Sequence, residues 1–159
     1  MGKEHNLKSL NELESQITKR LEEFQEKRKK NQKKNQIYSL GQIGLTALTT
    51  LLIAINVKLS LFEITLATLV TSTLASVAGQ LLNKYMYQER MAMNISTICA
   101  LYELNHTIIM DKKKEEDDGE AYQITIQKVE SYQNQYQQIL NTANGQWKKY
   151  LEKTQGSKK

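Results

Sequence analysis

The stretch EKRKKNQKKNQIYSLGQIGLTALTTLLIAINVKLSLFEITLATLVTSTLASVAGQLLN (residues 26–83) decides the fold. It opens on a block of basic side chains, Lys27, Arg28, Lys29, Lys30, Lys33 and Lys34, and from Asn35 carries no charge until Lys58. Between Asn35 and Asn83 the only charged side chains are Lys58 and Glu63, both within VKLSLFE. Two charge-free runs result, Asn35–Val57 and Ile64–Asn83, each about twenty residues long. At roughly 1.5 Å per residue, a helix of that length crosses the roughly 30 Å hydrocarbon core of a bilayer. Spans at about 36–57 and 63–83, joined by a loop at 58–62, form a two-helix transmembrane hairpin.

Both runs also hold Thr, Ser, Gln and Asn, so two buried helices of a soluble bundle are the competing reading. A bundle helix shows charge on its outer face at nearly every turn, and over about six turns neither run does. Uncharged polar side chains are tolerated in lipid when they face another helix, whereas a Lys or Arg at mid-bilayer costs about 2.5–3.5 kcal/mol. The missing charge, more than the leucines, favours the membrane.

Orientation follows from the flanks. The basic block precedes the first run, Lys84 and Arg90 follow the second, and the connecting loop holds one Lys and one Glu. By the positive-inside rule both termini are cytoplasmic and KLSLFE faces out. Lys27, Arg28, Lys29, Lys30, Lys33 and Lys34 are candidate contacts to anionic headgroups, each worth about 1 kcal/mol near the surface. Nucleic acid is not an expected partner, because no aromatic series is interleaved with the basic block.

The 159 residues amount to one domain's length, and with no Pro, seven Gly and abundant Gln, Leu, Lys, Glu and Thr the fold class is all-α. A single Cys cannot form an internal disulfide. Residues 1–25 lack the apolar core and cleavage site of a signal peptide, and Asn6 stands where a myristoylation signal needs Ser or Thr.

Within the spans, small and hydroxyl residues recur at helical spacing. Thr65, Thr68, Ser72, Ser76, Gly79 and Asn83 fall at intervals of three and four, on one face, with Leu66, Leu69, Val70, Leu74 and Val77 elsewhere. The first run offers Gln42, Thr46, Thr49 and Asn56, with Gly41 and Gly44. Two roles suit such a stripe: close helix packing with hydroxyls bonded to their own i−4 carbonyls, or the wall of a water-filled path when several hairpins assemble.

The flanks read as amphipathic helices. Residues 1–34 carry Leu7, Leu10, Leu13 or Glu14, Ile17, Leu21 and Phe24 at helical spacing. In residues 84–159, a stripe of Met91, Ile95, Ile98, Tyr102 and Ile109 continues the second membrane helix. The acidic segment DKKKEEDDGE (111–120) then breaks the pattern as a turn. Spacing resumes from Ile126 through Val129, Tyr132, Tyr136, Ile139, Ala143, Trp147 and Tyr150, and KTQGSKK closes the chain as an unstructured tail. Such helices bury their apolar faces on one another or on another subunit.

Enzyme signatures are missing: His5 and His106 are far apart, Cys99 has no nearby His, and there is no glycine-rich phosphate loop. The acidic turn fits an EF-hand at its centre but places Lys114 and Thr125 at the first and twelfth ligand positions. No catalytic residue, cofactor or metal ligand is expected.

The layout of a basic amphipathic helix (Leu7 to Lys34), two closely spaced spans (IYSLGQIGLTALTTLLIAINV and ITLATLVTSTLASVAGQLLN), then KYMYQERMAMNISTICALYEL and a long C-terminal helix resembles the bacterial SLATT proteins. The resemblance covers nearly the whole chain as architecture and transfers no site residue by position. It implies a homo-oligomeric effector in the bacterial inner membrane, found beside a nucleotide-sensing or nucleotide-synthesising partner in anti-phage defence, which damages that membrane when triggered. A phage holin is an alternative, although about seventy residues after Asn83 exceed what a holin needs. A membrane scaffold that recruits partners through its cytoplasmic helices is another.

Overall fold

The computed structural model describes Asn6 to Gly156, the side chains of Tyr150, Leu151 and residues 153–156 excepted. Four helices account for nearly all of it: α1 (Lys8–Leu59), α2 (Phe62–Tyr85), α3 (Tyr87–Asp117) and α4 (Ile126–Gly156), with no strand among the described residues. The chain is therefore all-α, as a proline-free composition rich in helix formers indicates.

Helix boundaries depart from the sequence expectations in several places. The basic amphipathic segment and the first charge-free run are one uninterrupted α1. Lys, Gln and Glu continue a helix well, and Gly41 and Gly44 cost only about 1 kcal/mol each relative to Ala. The loop at 58–62 shrinks to Ser60 and Leu61, with Ser60 left-handed at φ 50°. The second run does not continue smoothly into the next helix: Met86 stands at φ 47°, ψ 46°, its N–H donating to Leu82 O at 3.1 Å, so α2 ends there and α3 begins. A left-handed non-glycine residue costs roughly 1–2 kcal/mol, and the bond back to Leu82 satisfies one carbonyl of the helix end. At the far end α4 runs to Gly156, so the first part of KTQGSKK continues the helix instead of leaving it; the rest of that tail lies outside the described residues.

The chain divides into two compact units. In the first, residues up to Arg28 join those from Ala92 onward. Its core takes Leu10, Leu13, Ile17 and Leu21 from α1, Ile98, Leu101, Leu104 and Ile108 from α3, and Val129, Tyr132 and Tyr136 from α4. Spacings of three and four place these on one stripe per helix, so the three helices bury their apolar faces on one another. The stripe on α3 is a correction. Ile98 belongs to it, but Ile95, Tyr102 and Ile109 are exposed, and Leu101, Leu104 and Ile108 take the core positions. On α4, Val129, Tyr132, Tyr136 and Ala143 are buried, Ile139 and Trp147 half-buried and Ile126 exposed; the side chain of Tyr150 lies outside the described residues.

The acidic segment is mostly helix, since α3 runs to Asp117. Its carboxylates hold the α3–α4 turn. Glu115 Oε1 accepts from the Ile124 N–H at 3.0 Å, Asp118 Oδ1 accepts from the Ala121 N–H at 3.2 Å, and Thr125 Oγ1 accepts from the Lys128 N–H at 3.3 Å at the start of α4. Asp111 accepts from the Tyr132 hydroxyl and pairs with Lys114 at 3.2 Å and Lys128 at 3.3 Å. Lys112 bridges α3 to Glu14 of α1 at 3.1 Å.

This network carries a pH dependence. The bond from Tyr132, aided by Lys114 and Lys128, holds the Asp111 carboxyl below its ordinary value. A depressed carboxyl contributes stability that is fully present above its unfolded pKa and is lost as pH falls through the folded value. Thermal unfolding of the wild type should therefore move to lower temperature on acidification below about pH 4, and Asp111→Asn should flatten that limb.

Candidate functional site

The second unit, Lys29–Met91, contains the charge-free runs as an antiparallel helical hairpin. On α1 the inward line runs through Asn35, Tyr38, Gln42, Leu45, Thr49, Leu52 and Asn56, and on α2 through Ile64, Thr68, Thr71, Ala75, Ala78 and Leu82, with Ser39, Ala67, Gly79 and Leu81 half-buried beside these lines. Both sets alternate steps of three and four, the repeat of helices meeting along a seam. On α1 every seventh position, from Asn35 through Gln42 and Thr49 to Asn56, is polar.

Three of these polar positions meet α2. Asn56 Nδ2 donates to Thr65 Oγ1 at 2.8 Å, and Asn56 Oδ1 accepts from the Leu61 N–H at 3.0 Å. Thr49 Oγ1 lies 2.8 Å from Thr71 Oγ1. Gln42 lies against Gly79, where an added Cβ would sit 2.6 Å from Nε2. A side chain in place of Gly79 would make the Gln42 carboxamide shift. The threonine hydroxyls also bond within their own helices: Thr46 to Gln42 O, Thr68 to Ile64 O, Thr71 to Ala67 O and Thr73 to Leu69 O, all within 3.0 Å. Self-bonded hydroxyls lower the cost of placing threonine in an apolar medium.

The sequence stripe is divided rather than kept on one packed face. Thr68 and Gly79 belong to the inward side, as do Gln42 and Thr49 on α1, while Thr65, Ser72, Ser76 and Thr46 are exposed. Thr65, Thr68 and Ser72 line one groove with Thr49 and Asn56, a depression of about 450 Å³ along the hairpin. Thr71 and Ala75, central to the seam, escape the sequence reading. Their signal is the heptad phase they share with Ile64, Thr68, Ala78 and Leu82.

The outward faces carry no charge between Asn35 and Val57 or between Ile64 and Asn83, and large apolar side chains stand among the exposed threonines and serines. Leu40, Leu51, Val57, Phe62 and Leu69 are each more than 60% exposed, and Ile37, Ile43, Leu66, Val70, Leu74 and Val77 are exposed as well. Two of the helices are long and apolar enough to cross a membrane.

At the other end from the Ser60 turn, Tyr38 stacks on Tyr87 with ring centroids 5.9 Å apart, and Tyr85 on Tyr87 at 5.6 Å. Lys84 Nζ lies 6.0 Å from the Tyr85 ring. Sequence reasoning missed this aromatic cluster, although IY and KYMY stand at the outer ends of the two runs. The basic block distributes its charges around α1: Lys27, Lys29, Lys30, Lys33 and Lys34 are exposed and Arg28 half-buried, with Lys27 Nζ 5.2 Å from the Phe24 ring.

No protein-family model, curated protein or solved structure matches the chain. The chemistry of the site rests on its own geometry. Among the described residues no group of three or more His, Cys, Asp or Glu side chains could hold a metal ion, and Cys99 is exposed on α3. The hairpin offers a seam with polar positions, a groove in which hydroxyls stand beside Ile53, Val57 and Leu69, and an uncharged exterior.

Asn56 bridges the two helices and also satisfies the Leu61 amide. Asn56→Leu removes that acceptor at an exposed turn, where water takes the freed amide, at about 0.5–1.5 kcal/mol. The Leu61 N–H is expected to lose hydrogen-exchange protection severalfold while the amides of the core residues Leu101 and Ile108 keep theirs.

Proposed function

We propose that the chain is a two-span membrane effector of the SLATT kind. It oligomerises in the bacterial inner membrane with both termini cytoplasmic and depolarises that membrane when a nucleotide-sensing partner triggers it. The observation that carries the reading is the inside-out pattern of the hairpin: polar side chains such as Asn56, Thr49 and Gln42 face the seam, while Leu40, Leu51 and Leu69 face outward without a charge among them. In water such a surface would be an association liability. In a bilayer it is the required exterior, and the seam is where lipid tolerates polar groups.

Orientation draws on the tyrosine cluster and the charges. Tyr38, Tyr85 and Tyr87 gather at the end flanked by Lys33, Lys34, Lys84 and Arg90; tyrosine suits either membrane interface, and the basic side chains assign this end to the cytoplasmic one. The basic side chains there meet anionic headgroups. The groove formed by Thr49, Thr65, Thr68 and Ser72 supplies hydroxyls that hydrate when hairpins separate or reassemble around water. To drive such a population from nearly all closed to nearly all open, the trigger must favour the open form by about 5.5 kcal/mol.

The test is a membrane-potential dye in cells producing the chain with its triggering partner. Depolarisation is expected with the wild type. Thr68→Leu with Ser72→Leu is expected to suppress it at equal membrane abundance, because both hydroxyls leave the groove. Undiminished depolarisation in the double variant would remove the groove from the mechanism. A steady potential at every level of wild-type chain and partner would instead favour a scaffold, and lysis that requires an endolysin would favour a holin.

A further inference from the structure

α4 carries no charge from Ser131 to Trp147, the longest such run outside the hairpin and about 25 Å of helix. Its outer face differs in kind from that of the hairpin. The apolar Tyr132, Tyr136 and Ala143 are buried, and the eight Asn and Gln side chains between Gln133 and Gln146 are all exposed. Amides at that density do not suit lipid. A water-facing helix surface carries charged or polar side chains, and in a chain that is 25% charged the whole of Ser131–Trp147 without a charge stands apart. A helix face that is polar, exposed and neutral is suited to contact with protein.

That face borders a groove of about 450 Å³ between α3 and α4. Gln135, Gln138 and Gln146 line it on α4, and the small Ser96, Ala100 and Thr107 on α3. Glu103 is its only charged lining residue. Nothing lies within 4 Å of where a Cβ on nearby Gly145 would project, so a second helix can approach α4 closely there.

We propose that this groove is where two copies of the chain meet, each laying its α4 against the other's. The face is self-complementary. A primary amide carries two donors and an acceptor, so a face of amides pairs with an identical face, whereas a lysine face offers only donors and a carboxylate face only acceptors. In a two-fold contact the same patch meets itself, which is the arrangement an amide face satisfies. The formal net charge of +5 opposes approach of two copies elsewhere and opposes it least across a neutral surface. The contact belongs to the self-assembly in the proposed function and rests on that part of it alone.

The experiment uses the full chain in native membranes, in a Cys99→Ser background, with one new cysteine per variant. Gln138→Cys lies in the groove; Lys19→Cys, exposed on α1, is the control. Under mild oxidation Gln138→Cys is expected to form a disulfide-linked dimer at least tenfold faster than Lys19→Cys. Adding Gln135→Lys and Thr142→Lys to Gln138→Cys is expected to remove that advantage while leaving the circular dichroism melt in place. Equal rates for the two single cysteines would overturn the proposal, as would a cross-linked product containing a different protein in place of the dimer. Carbonate extraction of the same membranes reports on bilayer insertion separately, so failure of the contact and failure of the membrane reading give different results.

Discussion

Leu51→Lys with Leu69→Lys should abolish stable membrane integration. Both side chains stand outward near the middle of their runs, 62% and 63% exposed. In a bilayer each new ammonium costs about 2.5–3.5 kcal/mol, roughly a hundredfold per site in the insertion equilibrium. In water the same changes at exposed positions would shift stability by no more than about 0.5 kcal/mol and would improve solubility. The two environments thus predict opposite results for the same double substitution. Carbonate extraction of the double variant is expected to move the chain from the pellet to the supernatant, and a variant that stays in the pellet as fully as the wild type would contradict lipid at those faces.

Leu101→Ala should cost the three-helix unit about 2–5 kcal/mol, the range for truncating a fully buried leucine. Leu101 is 0% exposed, and its neighbour Tyr102 is 49% exposed. Tyr102→Ala removes more atoms yet should cost less, since about half of that residue is already in solvent and its hydroxyl accepts from the Gln25 amide at 2.7 Å. Hydrogen exchange of the α3 and α4 amides in micelles measures both variants. The comparison decides which stripe of α3 holds the bundle, because Ile95, Tyr102 and Ile109 belong to one line and Leu101, Leu104 and Ile108 to the other.

That pair also shows where sequence reading stops. α3 carries two apolar lines that share Ile98, and spacing alone fits either; which one is buried depends on where α1 and α4 press. The same ambiguity runs through α2, where Thr65, Thr68, Thr71, Ser72, Thr73 and Ser76 cover more than one face, so a line of small residues can be drawn that mixes inward Thr68 with outward Ser76. On α1 the partner-facing line is easier to find at Gln42 and Asn56, which stand alone among apolar residues, than at Thr49, which has the outward Thr46 and Thr50 beside it. Missing charge needs no phase to be seen, and so the two runs are legible from Asn35 and Ile64 onward. The break at Met86 is not, since KYMYQ holds no glycine or proline to mark a left-handed residue. The start of α4 at Ile126 matches the resumed spacing because Thr125 supplies the hydroxyl that receives the Lys128 N–H.

Alkaline carbonate extraction of the wild-type chain, produced at low level, tests the central claim most directly. If lipid covers the exposed aliphatic side chains of the hairpin, as proposed, the chain stays in the membrane pellet when peripheral proteins are stripped away. Recovery in the supernatant would make the charge-free runs part of a water-soluble assembly and would contradict the membrane effector itself.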